Sequence, residues 1–380
     1  MPARPVRRPA PLPARLPDGP GRGRPPGDRL TARSHRFRRP TSTEEGNTPV
    51  YQLNANENPY PPLPSVRAAL DEAAAHANRY PDRFHTDVTA ALAARLDVPA
   101  THVVVGAGSC GVLQHLLHAL VRDGDEVAFA WPSFEAYPHL TAMNRGVAVT
   151  APLKDHTHDL QALADAIGPR TRVALVCNPN NPTGTVVGRA ALERFLDRVP
   201  AEVTVVLDEA YREFVTDPDS PDGIELYRDR PNVVVVRTFS KAYGLAGLRI
   251  GYAVAHESLA AVIRSSATPF GVTAVAQTGA VASLAAEGEL LERVELLVKE
   301  RDRTATALRD LGFEVPRSEA NFVWLPLGEA TEAFAAACAD AGVAVRAFPG
   351  EGIRLTVGTP EADTTALTVA TSFARSSGAF

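Results

Sequence analysis

Between residues 103 and 254, short apolar runs rich in β-branched residues alternate with stretches whose apolar positions fall three and four apart. The runs are 103–105, 127–129, 147–149, 173–176, 203–207, 233–236 and 250–254. A run that is apolar throughout, rather than at every second residue, predicts a strand buried on both faces. Such strands, separated by helices, make a mostly parallel sheet covered on both sides, an α/β large domain over residues 76–270. Ahead of it, residues 50–60 read as an extended arm. Pro64-Ser65 then opens a helix with Val66, Ala69, Leu70 and Ala73 on one face, and Val88, Leu92 and Leu96 mark another. After Val272 the pattern turns helical, with a long charged stretch over 287–311, then returns to strands at 322–325, 343–345 and 353–357. This predicts a smaller α+β domain over 271–380, completed by the arm at 48–75, with a ligand cleft between the two parts.

Composition changes the picture at both ends of the size scale. Hydrophobic residues make up 45% and charged residues 22% of the 380-residue chain, which suits a soluble globular fold. No apolar run reaches the roughly 18 to 20 residues that cross a bilayer, so a membrane partner is not expected. Cys110, Cys177 and Cys338 are far apart with no CxxC pair; this argues against a metal site or a disulfide framework, predicts free thiols and fits a reducing cytoplasm. Residues 1–40 carry eleven arginines, two aspartates and ten prolines; their +9, set in a chain of net charge −5, leaves about −14 elsewhere. With so few apolar positions, segment 1–47 is expected to be a disordered tail or an upstream extension. Its arginines raise nucleic-acid or anionic-membrane contact and loosely suggest a transit peptide. The prolines oppose the amphipathic helix such a peptide needs, and no recognition helix accompanies the arginines, so no nucleic-acid partner is expected.

Only three lysines stand against 36 arginines. Lysine is then kept mainly where arginine cannot serve: as an amine that loses its proton and bonds a carbonyl. Lys241 follows the run at 233–236 in Thr238-Phe-Ser-Lys-Ala-Tyr-Gly-Leu-Ala-Gly-Leu-Arg249. An amine at a strand end, beside hydroxyls, glycines and an arginine, suggests a pyridoxal 5'-phosphate (PLP) site; a surface lysine in a loop is the alternative.

In a parallel sheet the C-terminal strand ends share one edge, where ligands bind. Three further strands bring distinctive groups there. Val103-Val-Val-Gly-Ala-Gly-Ser-Cys-Gly111 runs into a helix, so free N–H groups and the positive dipole end can cradle a phosphate. The same glycines satisfy the dinucleotide fingerprint, yet the next strand ends in Phe129-Ala-Trp-Pro-Ser-Phe134 instead of an acidic residue, and aromatic residues suit stacking on a flat ring. Cys177-Asn-Pro-Asn-Asn-Pro-Thr-Gly-Thr185 makes a rigid turn whose amide can donate to a phenolate oxygen. Val203-Thr-Val-Val-Leu-Asp-Glu-Ala-Tyr211 ends in an aspartate able to pair with a cationic ring nitrogen, with Tyr211 within reach of a phenolic oxygen. Arg249 offers a planar fork for a phosphate.

The set Asn-Asn-Pro-Thr-Gly (180–184), Asp-Glu-Ala-Tyr (208–211) and Ser240-Lys241 with Arg249 resembles the fold-type I PLP-dependent aminotransferases of class I/II. Asn54-Ala-Asn-Glu-Asn-Pro-Tyr60, Asn78-Arg-Tyr-Pro81, Ser318-Glu-Ala-Asn-Phe322 and Arg354-Leu-Thr-Val-Gly-Thr-Pro360 resemble the histidinol-phosphate aminotransferase branch. Segments 129–137 and 208–218 are similar to its actinobacterial aromatic amino acid (phenylalanine) aminotransferases. The resemblance spans about residues 50–370. It implies the PLP transferase fold, with Lys241 as the Schiff-base lysine and proton shuttle, and Asp208 on the pyridine nitrogen. It places Asn181 and Tyr211 on the ring oxygen, Phe134 against the ring, and Thr238, Ser240, Arg249 and the Ser109 and Cys110 backbone on the phosphate. Tyr80 would reach that phosphate from the neighbouring subunit of a homodimer. Arg354 would bind the substrate carboxylate with Arg346 and Asn181 nearby, and Tyr60, Phe134 and Tyr137 would form an apolar side-chain pocket that favours aromatic substrates, packing of the fold being the equal alternative for these three. The implied reaction is ping-pong transfer of an amino group from phenylalanine or tyrosine to a 2-oxo acid such as 2-oxoglutarate. Histidinol-phosphate transamination and threonine-phosphate decarboxylation are the alternatives. One departure stands out: the histidinol-phosphate branch reads Gly-Ser-Asp-Glu where this chain has Gly108-Ser-Cys-Gly111, which alters the cradle's side chains and bears on substrate more than on cofactor.

Overall fold

The computed structural model describes residues 51–377; the expected tail at 1–47 lies outside the described residues. Its strands, in chain order, are β1 (Tyr51–Leu53), β2 (Val103–Gly106), β3 (Glu126–Trp131), β4 (Val147–Lys154), β5 (Thr157–His158) and β6 (Thr171–Cys177). They continue with β7 (Thr204–Asp208), β8 (Val233–Thr238), β9 (Gly251–Val254), β10 (Phe322–Leu325), β11 (Val343–Phe348) and β12 (Gly352–Thr356). Eight of them form one sheet of order β2-β9-β8-β7-β6-β3-β4-β5, and the other four form a second, β1-β11-β12-β10. The α/β class expected from the alternating runs is the one observed.

The two-sided burial read from the runs follows the period of two in each strand. Val205 and Leu207 of β7 and Val233 and Val235 of β8 enter one apolar cluster. Val206, Val234 and Val236, from the same strands, enter the cluster on the opposite face. Burying each such valine stabilises the fold by about 1.5 kcal/mol or more, so a one-residue slip in register would be costly in every strand at once. The second cluster is completed by the helix α3 (Gly108–Leu120), through Val112, Leu113, Leu116 and Leu117. Two earlier helices, α1 (Pro64–Ala74) and α2 (Thr86–Leu96), match the amphipathic patterns and pack against helix Ala274–Ala285.

Two strands of the larger sheet, β5 and β9, depart from a simple parallel reading; β5 is antiparallel to β4. β9 is antiparallel to both β8 and β2, because the link from Thr238 to Gly251 holds only a single turn of 3-10 helix and no crossover helix. β2 nevertheless runs in the same direction as β8, so the ends of β2, β6, β7 and β8 still share one edge. The expected arm begins as a strand, β1 pairing in parallel with β11, which ties it into the smaller sheet. All described residues belong to one compact unit, and no helix among them is long and apolar enough to cross a membrane.

Candidate active site

Strand parity decides what reaches the edge. Cys177 and Asp208 are register partners at the ends of β6 and β7, and both continue the face covered by α3 and the helix α4 (Ala136–Met143). Thr238, two residues beyond Val236, ends β8 on that face. There a cavity of about 350 Å³ is lined by Ser109, Cys110, Phe134, Asn181, Asp208, Tyr211, Thr238, Ser240, Lys241, Arg249 and Arg354. Eleven residues singled out from sequence are thus brought together. All three cysteines are free thiols.

One end of the cavity is an anion cradle. Ala107 caps α3 without a side-chain hydrogen bond, leaving the first N–H groups of the helix unused by a cap. Gly108 has φ +76°, and a Cβ there would lie 2.5 Å from Nη2 of Arg249; a Cβ on Gly251 would lie 2.5 Å from the Ser109 nitrogen. Any other residue would fill the cradle. Around it, Arg249 Nη1 donates to Ser240 Oγ at 3.2 Å, and Thr238 Oγ1 donates to the same oxygen at 3.0 Å.

At the centre, Asp208 is buried. Its Oδ2 accepts from the Tyr137 hydroxyl at 2.8 Å, while Oδ1 has no hydrogen-bond partner among the described residues. A buried carboxylate oxygen without a donor costs on the order of 1–3 kcal/mol, and this one belongs to a cavity-lining residue. Burial pushes the Asp208 carboxyl up to about 6, against the Tyr137 hydrogen bond, which lowers it. Lys241 Nζ donates to the Ala55 carbonyl at 3.1 Å and lies 5.9 Å from the centre of the Tyr211 ring. Burial, then the positive charge of Arg354, lowers the Lys241 ammonium to about 8. Near neutral pH the amine is therefore far closer to deprotonation than an ordinary lysine.

The opposite wall comes from the smaller sheet. Arg354, buried in β12, donates from Nη1 to Asn181 Oδ1 and from Nη2 to the Asn54 carbonyl, both at 2.6 Å, and its Nε has no partner. Asn56 has φ +53°; its Nδ2 donates to the Tyr211 hydroxyl at 2.9 Å and its N–H to Thr356 Oγ1 at 3.0 Å. The arm thus bridges the two sheets at the cavity.

Four residues fall elsewhere. Tyr137 is fully buried behind Asp208, because the first turn of α4 packs into the apolar cluster there; it supports the carboxylate and does not line the cavity. Tyr60 is outside the lining, its ring 5.9 Å from the Arg293 guanidinium, so the expected trio of Tyr60, Phe134 and Tyr137 is not one pocket. Arg346 is also outside the lining, paired with Glu135. Tyr80 is 85% exposed and packs on Phe270 with ring centres 5.0 Å apart. Sequence reasoning missed Asn56, Glu135 and the role of Tyr137. The Asn54-to-Tyr60 motif was visible, but nothing in it shows which atom it meets.

A half-buried lysine amine, a buried carboxylate with one unpartnered oxygen and a glycine-built anion cradle at one sheet edge define a cofactor-dependent α/β enzyme. The chain belongs to the aminotransferase class I and II family, whose model matches residues 48–369. It is 59% identical over 325 residues to a protein of Streptomyces coelicolor named aromatic amino acid aminotransferase, covering 85% of this chain and 90% of that one. A protein of Thermobifida fusca with the same name is 57% identical over 322 residues, 85% of this chain and 90% of the relative. Among solved structures, histidinol-phosphate aminotransferase from Sinorhizobium meliloti in complex with pyridoxal-5'-phosphate superposes with a TM-score of 0.81 at 29% identity, covering 87% of this chain and 92% of that one.

Proposed function

We propose that this protein is a PLP-dependent aminotransferase that takes the amino group of an aromatic amino acid, phenylalanine or tyrosine, and passes it to a 2-oxo acid such as 2-oxoglutarate. The observation that carries the reading is the convergence of Lys241 Nζ, the orphan Oδ1 of Asp208 and the Arg354 guanidinium on one cavity. The residues fit the cofactor. The backbone of Ser109 and Cys110, with Thr238, Ser240 and Arg249, would hold its phosphate; Asp208 Oδ1 would accept from a protonated ring nitrogen; Asn181 and Tyr211 would hold the ring oxygen; Phe134 would cover the ring; and Lys241 would bind it covalently. When bound, PLP supplies an electron-accepting ring in conjugation with the substrate nitrogen.

The chain's own groups do the rest. Arg354 would bind and orient the substrate carboxylate with its guanidinium fork. Lys241, its ammonium lowered to about 8, can hold a proton at Nζ transiently, taking it from the substrate Cα and returning it. Tyr211, whose phenol burial pushes up, remains a protonated donor while accepting from Asn56. In this reading residues 76–270 hold the cofactor, while the arm 48–75 and residues 271–380 hold the substrate. The exposed aromatic residues Tyr80 and Phe84 support a homodimer in which Tyr80 reaches the partner's cradle. Free thiols support a cytoplasmic site of action.

Histidinol-phosphate transamination is a second reading, favoured by Arg346 standing beside Arg354 in the register of β11 and β12. A half-reaction screen separates the two. The yellow holoenzyme is mixed separately with phenylalanine, tyrosine, histidinol phosphate and threonine phosphate, and its absorbance is followed. Phenylalanine and tyrosine are expected to convert the spectrum; conversion by histidinol phosphate alone would overturn the aromatic assignment.

A further inference from the structure

A pair of charges, one lining this cavity and one beside it, has no part in the aromatic transamination above. Glu135 follows Phe134 and lines the cavity, and its Oε1 accepts from Nη2 of Arg346. Arg346 and Arg354 are directly opposed on β11 and β12, so their side chains leave the same face of the smaller sheet. Glu135 and Arg346 both act on Arg354, the carboxylate favouring its charge and the second guanidinium opposing it. Of the other charged lining groups, Arg249 donates to Ser240 in the anion cradle, and the exposed Glu57 carboxylate favours the charged form of Lys241.

The charges at this wall can be counted. Arg354 contributes one positive charge for one carboxylate. Arg346 would contribute a second and draw in a second anion, but Glu135 cancels it. A zwitterionic amino acid with an uncharged side chain matches that wall. A dicarboxylic amino acid or a phosphate monoester brings further negative charge, which meets Glu135 unless the pair opens.

We propose that Glu135 is a specificity-determining residue: by neutralising Arg346 it sets the cavity for donors that bring a single negative charge against donors that bring more, whether as a second carboxylate or as a phosphate in place of the carboxylate. The proposal deepens the aminotransferase reading and rests on it. It also accounts for how two neighbouring arginines can serve an aromatic substrate.

The test compares kcat/KM of the holoenzyme for phenylalanine with that for glutamate and histidinol phosphate, in the parent, Glu135→Gln and Glu135→Gln/Arg346→Gln. In the single variant the preference for glutamate or histidinol phosphate relative to phenylalanine should rise about five- to tenfold, as one unpaired charge several ångströms from an anion predicts. The gain should shrink at high salt and vanish in the double variant. An unchanged ratio, with all donors falling together, makes Glu135 merely structural and overturns the proposal. So does a gain that survives loss of Arg346. Failure of the aminotransferase reading looks different: the parent enzyme itself would not respond to phenylalanine, and the proposal would fall with it.

Discussion

The two sheets that wall the cavity are built on different rules. The eight-stranded sheet presents its groups from the ends of strands buried on both faces, β6, β7 and β8, whose packing leaves them one position. The four-stranded sheet presents Arg354 and Arg346 from the middle of an antiparallel pair, where buried and half-exposed charges stand side by side. The first arrangement suits a ligand that never changes. The second suits one that does, because a half-exposed ion pair such as Arg346 with Glu135 can form or open at a cost of about 1 kcal/mol or less. We read the larger sheet as the cofactor side and the smaller as the substrate side, a division that substitutions on each side can break.

Lys241→Ala should have the largest effect. Removing the one lysine among the described residues that line the cavity should slow the half-reaction at least about 10³-fold with every amino donor alike, measured by single-turnover absorbance after loading with PLP. A loss that depended on the donor's side chain would place Lys241 on the substrate side and break the division. Arg354→Lys should act in the opposite manner. A lysine keeps the charge but not the fork, so kcat/KM for phenylalanine should fall about 10- to 100-fold, mostly through KM, while the cofactor spectrum stays that of the parent. If cofactor loading failed as well, the two sheets would not be separable in function.

Asp208→Asn sharpens the comparison through pH. The folded chain holds the Asp208 carboxyl at about 6, above its ordinary 3.8, so without cofactor the folded form binds this proton more tightly than the unfolded form. Folding therefore carries a penalty that is fully present above pH 6 and disappears as pH falls below about 4. The cofactor-free variant should melt higher than the cofactor-free parent at pH 7.5, by about 1–2 kcal/mol of stability, and match it near pH 4. Its PLP affinity should fall, since Oδ1 no longer offers a carboxylate. A variant less stable than the parent at pH 7.5 would mean that the orphan oxygen is not a site of strain.

How much of this was legible in the chain divides along the same line. Asp208, Lys241 and the cradle glycines close apolar runs, and a run's parity and end are properties of consecutive residues. The direction of β9 was not legible, because an apolar run reads the same both ways. Nor were the contacts of Tyr137 with Asp208, Asn56 with Tyr211, or Glu135 with Arg346, since they join residues 71, 155 and 211 positions apart. Tyr60 and Tyr137 illustrate the converse: an aromatic residue near a motif is as readily packing as lining, and only tertiary placement decides between the two.

The smallest effect lies at the joint between the sheets. Asn56 sits at φ +53°, where a side chain with a Cβ is disfavoured unless hydrogen bonds compensate. Its amide supplies them, donating to Tyr211 and accepting at Oδ1 from Thr356 Oγ1 at 3.0 Å, and the Asn321 amide donates to its carbonyl at 3.2 Å. Asn56→Ala loses the side-chain bonds and keeps the backbone strain; Asn56→Gly loses the same bonds but relieves it. If the positive φ is held by the joint, Asn56→Gly should retain about 1 kcal/mol more stability than Asn56→Ala in urea unfolding. Equal losses would show that the arm relaxes to an ordinary conformation when the amide goes, and that the two sheets are not pinned to each other at this residue.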